Sequence, residues 1–235
     1  MILALDTATR QISLALHDGR RLLAEHTWRV GQTHSVELAP QAALMLRRAE
    51  VAPGALTGVA VALGPGSYTA LRIGLGFAKG LALAHNLALY GVPTFEIILR
   101  PLRPEAGLRR VDRALALLQA GRGRAVAAAY AWDGREWAAD GPPRGVEWAA
   151  LTDELHGPIL VCGEWEAAPP ELLRAWRSSG RALFEAPAQA LRRAGYLAEI
   201  AWERRAHGQA DDVLRLAPLY AGAPFAYTPP DGPAA

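Results

Sequence analysis

The stretch Gly58-Val59-Ala60-Val61-Ala62-Leu63-Gly64-Pro65-Gly66-Ser67-Tyr68-Thr69-Ala70-Leu71-Arg72-Ile73-Gly74 decides how the first half of this chain is built. Gly58 to Leu63 is wholly apolar and too short for a buried helix, so it predicts a strand covered on both faces. Gly64-Pro65-Gly66 breaks the strand, and Ser67 or Thr69 then supplies a cap for a helix from about Thr69 to His85. Such a junction gathers free backbone N–H groups and the positive end of a helix dipole at one point, where an anion can be held. It is not a Walker A loop, because no Gly-Lys-Ser/Thr follows. A plain turn, with Ser67 or Thr69 acting only as cap, explains the same residues equally well.

Outward from that junction the pattern continues. Ile2 to Asp6 is a short apolar strand, Ile12 to His17 alternates as a strand does, and Asp18-Gly19 marks a hairpin turn into Leu22 to Trp28. A helix capped at Thr33 or Ser35 runs to about Ala49, with Pro40 in its early turns. After the central helix, Leu87 to Val92 is a further strand, and Thr94 to Leu99 a short helix. The order βββαβαβα is that of an RNase H-like unit. Arg100 to Arg110, rich in Pro, Gly and Arg, suggests a linker. Beyond it Leu115 to Leu118, Arg124 to Trp132 and Ile159 to Cys162 are strand candidates, Asp133-Gly134 a second hairpin turn, and Pro187 to about His207 a helix with Leu191, Ala194, Leu197, Ala198 and Ala201 on one face. The prolines at 224, 229, 230 and 233 suggest a mobile tail. The expected division is 1–100, 110–222 and a tail at 223–235.

Composition narrows the function. With 51% hydrophobic and 20% charged residues, the chain has the make-up of a globular protein with a substantial core. Its 25 basic residues against 23 acidic ones include no dense basic run, which argues against tight, unaided binding of nucleic acid. Cys162 is the one cysteine, so an intrachain disulfide and a thiolate metal cluster are excluded, and a reducing cytoplasm is the expected location. The N-terminal apolar run reads as a first strand rather than a signal peptide. No membrane span is expected, since Arg72 and Lys79 interrupt the longest apolar run.

Two constellations can carry chemistry. Asp6, at the end of the first strand and followed by Thr7, Ala8 and Thr9, has the position from which a carboxylate holds a cation and hydroxyls meet phosphate oxygens; it serves equally as a turn cap. Asp6, Thr7, Gly64, Gly66, Ser67 and Thr69 are therefore the candidate nucleotide or anion contacts. The second constellation is the central helix itself. Gly74, Gly76 and Gly80 each cost about 1 kcal/mol relative to Ala in a helix interior, so close contacts are needed to offset roughly 3 kcal/mol. Ala70, Gly74 and Ala78 form one i, i+4 row, and Gly76, Gly80 and Ala84 another. Packing on the helix's own sheet accounts for one row; the other invites a second protein. His34 with Glu37 lacks a third ligand and an H-E-x-x-H pattern, so no metal site is expected. His85 reads as a helix C-terminal residue, and Cys162, after a buried strand, as an inert thiol.

The segments Ile2 to Thr9, His34 to Leu38 and Gly64 to Ala82 together resemble the TsaB family, a group once classed as glycoprotease-like. The resemblance is continuous over about the first 95 residues, and Ala217-Pro218-Leu219-Tyr220 resembles the family's C-terminal Pro-x-Tyr element. The family's acidic segment early in the second subdomain is replaced here by Ala129-Tyr130-Ala131-Trp132. The resemblance implies an α/β, actin-like ATPase (ASKHA) fold of two RNase H-like subdomains with mixed sheets. It also implies a non-catalytic accessory subunit that binds TsaD, together with the ATPase TsaE, and supports threonylcarbamoyl transfer to the adenosine beside the tRNA anticodon. The paired histidines by which TsaD holds its metal are absent, Gly91 to Glu96 standing in their place. The implied interface is Val36, Ala39, Ala43 and Leu46 with Arg72, Leu75, Gly76, Lys79 and Gly80. Further implications are tRNA contact only through the complex, self-association as a homodimer when TsaD is absent, and no cofactor of its own, with ATP or ADP at the TsaD interface left open. The rival readings are an independent ATP-binding enzyme of the same fold and a metallopeptidase.

Overall fold

The computed structural model describes residues 1–31, 33–102, 111–121, 123–222 and 227–232. The chain divides into two compact units, the described residues of the first lying within Met1–Ile97, Arg192–Leu219 and 227–232, and those of the second within Ile98–Leu191 and 220–222.

In the first unit, β1 (Ile2–Asp6), β2 (Gln11–His17) and β3 (Leu22–Arg29) form an antiparallel meander, followed by α1 (His34–Arg48), β4 (Gly58–Gly64), α2 (Tyr68–His85), β5 (Ala88–Pro93) and α3 (Thr94–Leu99). The sheet order is β3-β2-β1-β4-β5, with β4 parallel to both β1 and β5. Every residue of β1, β2 and β4 is buried, as expected of strands covered on both faces. Leu3, Leu5, Leu14, Val59 and Val61 pack with Leu38, Ala42 and Leu46 of α1 and with Leu75, Ala78 and Ala82 of α2.

The second unit repeats the plan. Its strands are β6 (Arg113–Ala120), β7 (Arg124–Trp132), β8 (Trp137–Ala139), β9 (Arg144–Glu147), β10 (Ile159–Gly163) and β11 (Ala182–Phe184), with α4 (Pro170–Ser178) between the last two. The order β11-β10-β6-β7-β8 matches the first sheet read from its other edge, β8 and β9 sharing the flank of β7. Trp148, Trp165 and Trp176 fill this core, which accounts for much of the tryptophan in this half. Two RNase H-like subdomains with mixed sheets make the actin-like fold.

Three expectations are corrected. The helix α5 (Ala194–Ala206) belongs to the first unit, packing on β1 and β2, rather than to a unit spanning 110–222. It begins at Ala194, not Pro187, because its first N–H groups are capped from distant strands: Ala194 donates to Ser13 Oγ and Gly195 to Glu25 Oε1, both at 2.8 Å. The described part of the tail is anchored, since the Tyr227 hydroxyl lies 3.0 Å from both carboxylate oxygens of Asp211 and is joined to Arg204. Most of the expected linker at 100–110, and residues 223–226 and 233–235 of the tail, lie outside the described residues. No helix among the described residues is long and apolar enough to cross a membrane.

Candidate functional site

The two small-residue rows of α2 have different surroundings. Ala70, Gly74 and Ala78 are buried, and a Cβ added to Gly74 would lie 2.2 Å from Thr7 Oγ1. Gly74 is therefore what lets α2 sit on the end of β1, where Thr7 Oγ1 donates to the Ala70 carbonyl at 2.8 Å. Gly76, Gly80 and Ala84 are exposed, and nothing lies within 4 Å of a Cβ built on either glycine. The contact that offsets the cost of these two glycines is absent from the folded chain itself.

Around this bare row the surface is apolar with two cations. Val36 of α1 and Tyr68 and Leu83, near the two ends of α2, are exposed by 69%, 57% and 63%, values normal for single surface residues. Ala39 and Ala43 of α1 are exposed as well. Arg72 is exposed and stacks over the Tyr68 ring, its guanidinium carbon 5.2 Å from the ring centre, and partly buried Lys79 donates to the Leu214 carbonyl at 3.1 Å. From Tyr68 to His85 there is no acidic side chain. Two expected interface residues are corrected: Leu46 and Leu75 are buried at 6% and 5% exposure and belong to the core beneath the helices. The other seven, Val36, Ala39, Ala43, Arg72, Gly76, Lys79 and Gly80, are exposed or partly so. Leu83 and Tyr68 were missed, although Leu83 lies three residues after Gly80 and Tyr68 four before Arg72, spacings that carry the signal.

The candidate anion contacts have other occupations. Asp6 is fully buried; its Oδ2 accepts from Arg192 Nε at 2.9 Å and its Oδ1 from the Ala8 N–H at 2.8 Å. Arg192 also donates to Thr9 Oγ1 at 2.8 Å and to the Gln11 carbonyl at 3.3 Å. Thr7 is buried between β1 and α2. The Gly64–Ser67 turn is packed, not open: Gly64 has φ +116°, and a Cβ there would lie 2.2 Å from the Leu219 carbonyl oxygen. A Cβ on Gly66 would lie equally close to the Ala8 carbonyl, which accepts the Ser67 N–H at 2.6 Å. A carbonyl oxygen aimed into the turn repels an anion, the first of the two readings that its residues allow. Ser67 and Thr69 alone of the six are exposed. As they stand, these residues do not fit a magnesium-bound nucleotide.

His34 is buried, its Nε2 2.7 Å from the Thr9 carbonyl, so it ties the start of α1 to the β1–β2 turn. Glu37 accepts from Trp28 Nε1 at 2.8 Å and from the Thr33 hydroxyl, and these bonds hold its carboxyl below the usual range. In the second unit, Cys162 is buried and desolvation pushes its thiol well above the ordinary value, which makes it a poor nucleophile.

A TsaB protein of Bacillus subtilis (strain 168), the tRNA threonylcarbamoyladenosine biosynthesis protein TsaB, is 28% identical over 92% of this chain and 94% of its own. That of Escherichia coli (strain K12) is 31% identical over 72% of this chain and 73% of its own. The chain belongs to the TsaB family. A solved structure from Pseudomonas aeruginosa, described as an uncharacterized protein with similarity to peptidase YEAZ, superposes with a TM-score of 0.70 at 25% identity, over 93% of this chain and 98% of that one. The family model for TsaD, tRNA N6-adenosine threonylcarbamoyltransferase, matches residues 28–141, which take in α1, β4 and α2. Membership in the TsaB family thus rests on the chain as a whole, whereas the likeness to TsaD is confined to a part that includes the outward helix face.

Proposed function

We propose that this TsaB-family chain serves tRNA threonylcarbamoyladenosine biosynthesis as a non-catalytic subunit, docking a TsaD-family transferase on the outer face of α1 and α2, with TsaE joining the assembly. The observation that carries the reading is the bare row Gly76-Gly80-Ala84: two helix-destabilising glycines with open space around them are accounted for by a partner backbone that approaches closely. The matched TsaD model supports the choice of partner, because a TsaD-like chain has a counterpart of this segment and can meet it face to face in a pseudo-symmetric pairing. The same self-likeness supports a homodimer through this face when the partner is missing.

The non-catalytic reading draws on the first unit. Asp6 is committed to Arg192, and the Gly64–Ser67 turn to Ala8 and Leu219, so the groups that an ATP-using enzyme of this fold would need are spent on packing. Any nucleotide in the assembly, and any contact with tRNA, then depends on the partner's groups.

Binding of TsaD from the same source, measured by titration calorimetry against the native chain and the Gly76→Leu and Gly80→Leu variants, tests the reading. Loss of binding with an unchanged far-ultraviolet spectrum is expected; unchanged affinity in both variants overturns the docking face.

A further inference from the structure

The segment after α5 meets the edge strand β5 at Asp211 and reaches the end of β4 at Leu219. Asp211 pairs with Leu89, its N–H donating to that carbonyl at 2.8 Å, and the Leu219 N–H donates to the Leu63 carbonyl at 2.8 Å. Between these anchors Val213, Leu216 and Leu219 pack on the core that underlies α1 and α2. Leu214 does not: it is 79% exposed, more than any other large apolar side chain among the described residues. Its place is fixed from two directions. Asp212 Oδ1 accepts the N–H groups of Leu214 at 2.8 Å and of Arg215 at 3.2 Å, making a tight turn, and Lys79 of α2 reaches across to the Leu214 carbonyl. The turn is further held by Asp211, which accepts from Arg204 at 3.1 Å and from the Gly91 N–H at 2.7 Å. An exposed leucine on a turn with this many anchors is displayed rather than merely left over, because the bonds fix its backbone and little backbone freedom remains to be lost on binding.

Lys79 lies seven residues after Arg72 and three after Gly76, hence on the same outward face of α2. Across the sheet, α1 packs over β2 and α2 over β4, and the 211–219 segment starts beside β5. The α1 and α2 helices are neighbours, and Lys79 joins α2 to the turn that carries Leu214.

We infer that the docking face for the TsaD-family partner extends past α2 over Lys79 to Leu214, which acts as an apolar anchor at its far edge. This inference rests on the reading of the α1–α2 face as the partner's seat. It specifies the partner's chemistry: an apolar recess for Leu214 and a carboxylate facing Arg72 and Lys79, since α2 supplies cations and no acid of its own.

The test uses Leu214→Asp and Gly80→Leu side by side in the full chain, with the affinity for TsaD as readout. Leu214→Asp removes no buried contact, so folding is preserved, and its affinity is expected to fall at least tenfold while Gly80→Leu abolishes binding. Binding by Leu214→Asp within twofold of native, with Gly80→Leu still inactive, overturns the anchor and leaves the α1–α2 reading standing. Native affinity in both overturns the two together. Because Lys79 is the only lysine, amine-reactive labelling read by peptide mapping, which resolves it from the Met1 α-amine, reports on the α1–α2 face itself: protection of Lys79 in the complex is expected, and unchanged labelling contradicts that face and its extension together.

Discussion

Arg192 Nε donates to Asp6 Oδ2 at 2.9 Å, joining residues 186 positions apart, with both side chains essentially fully buried. A guanidinium ringed by a carboxylate, a hydroxyl and a carbonyl takes the place at the end of β1 from which a strand-end carboxylate would otherwise reach a cation. Breaking such a pair on one side leaves an uncompensated buried charge, so Arg192→Ala should lower stability by about 3–5 kcal/mol. Urea unfolding checks this; a loss below about 1 kcal/mol contradicts it.

The two glycine environments on α2 predict opposite signs for the same substitution. Gly74→Ala drives a Cβ into Thr7 and should destabilise by about 1–3 kcal/mol, whereas Gly80→Ala meets open space and should stabilise the isolated chain by up to about 1 kcal/mol. Thermal unfolding of both variants decides it, and equal shifts would show that the rows are not divided between core and surface.

Glu185 gives the second unit a pH dependence. Burial raises its carboxyl to about 7, the Gly163 N–H at 3.1 Å acting against the shift and the Glu166 charge adding to it. The folded state therefore holds this proton when the unfolded chain has released it. Stability from this group is highest below pH ~4.5, falls by roughly 3 kcal/mol as pH rises to about 7, and is level above that. Glu185→Gln should flatten the profile between those limits; an unaltered slope would falsify the assignment to Glu185.

Tyr227 locks the C-terminal segment by bridging Arg204 and Asp211 with its hydroxyl while its ring lies under the guanidinium, 5.3 Å from its carbon. Tyr227→Phe keeps the ring and removes the bridge, and should cost about 1–2 kcal/mol. Faster hydrogen exchange at the Leu219 N–H, which bonds to Leu63, is the expected local signature.

The first half was legible because β1 and β4 are apolar runs, β2 alternates, and Gly19, Gly64–Gly66 and Pro93 mark ends of strands: β1 and α3 fall where the residues place them, and β4 and α2 within a residue. In the second half β7 falls where the residues place it and β10 within a residue, but the smaller elements were not legible. β8 and β11 have three residues each, too few for periodicity, and α4 starts on Pro170 amid mixed polarity. For the site, the spacing of small residues separated the two rows of α2 but could not say that Leu46 and Leu75 lie underneath. Nor could any local signal show that Arg192 fills the space beside Asp6, that Ala8 and Leu219 close the Gly64–Ser67 turn, or that Leu214 stands next to Lys79, because each pairing joins residues far apart in the chain.

The most direct test of the account is threonylcarbamoyl transfer from supplied threonylcarbamoyl-adenylate to tRNA by this chain alone, by TsaD from the same source alone, and by the two together with TsaE and ATP. Transfer in the complete mixture, and none by this chain alone, is the predicted result. Transfer or ATP turnover by this chain alone would contradict it and would mean that Asp6 and the Gly64–Ser67 turn open to substrate.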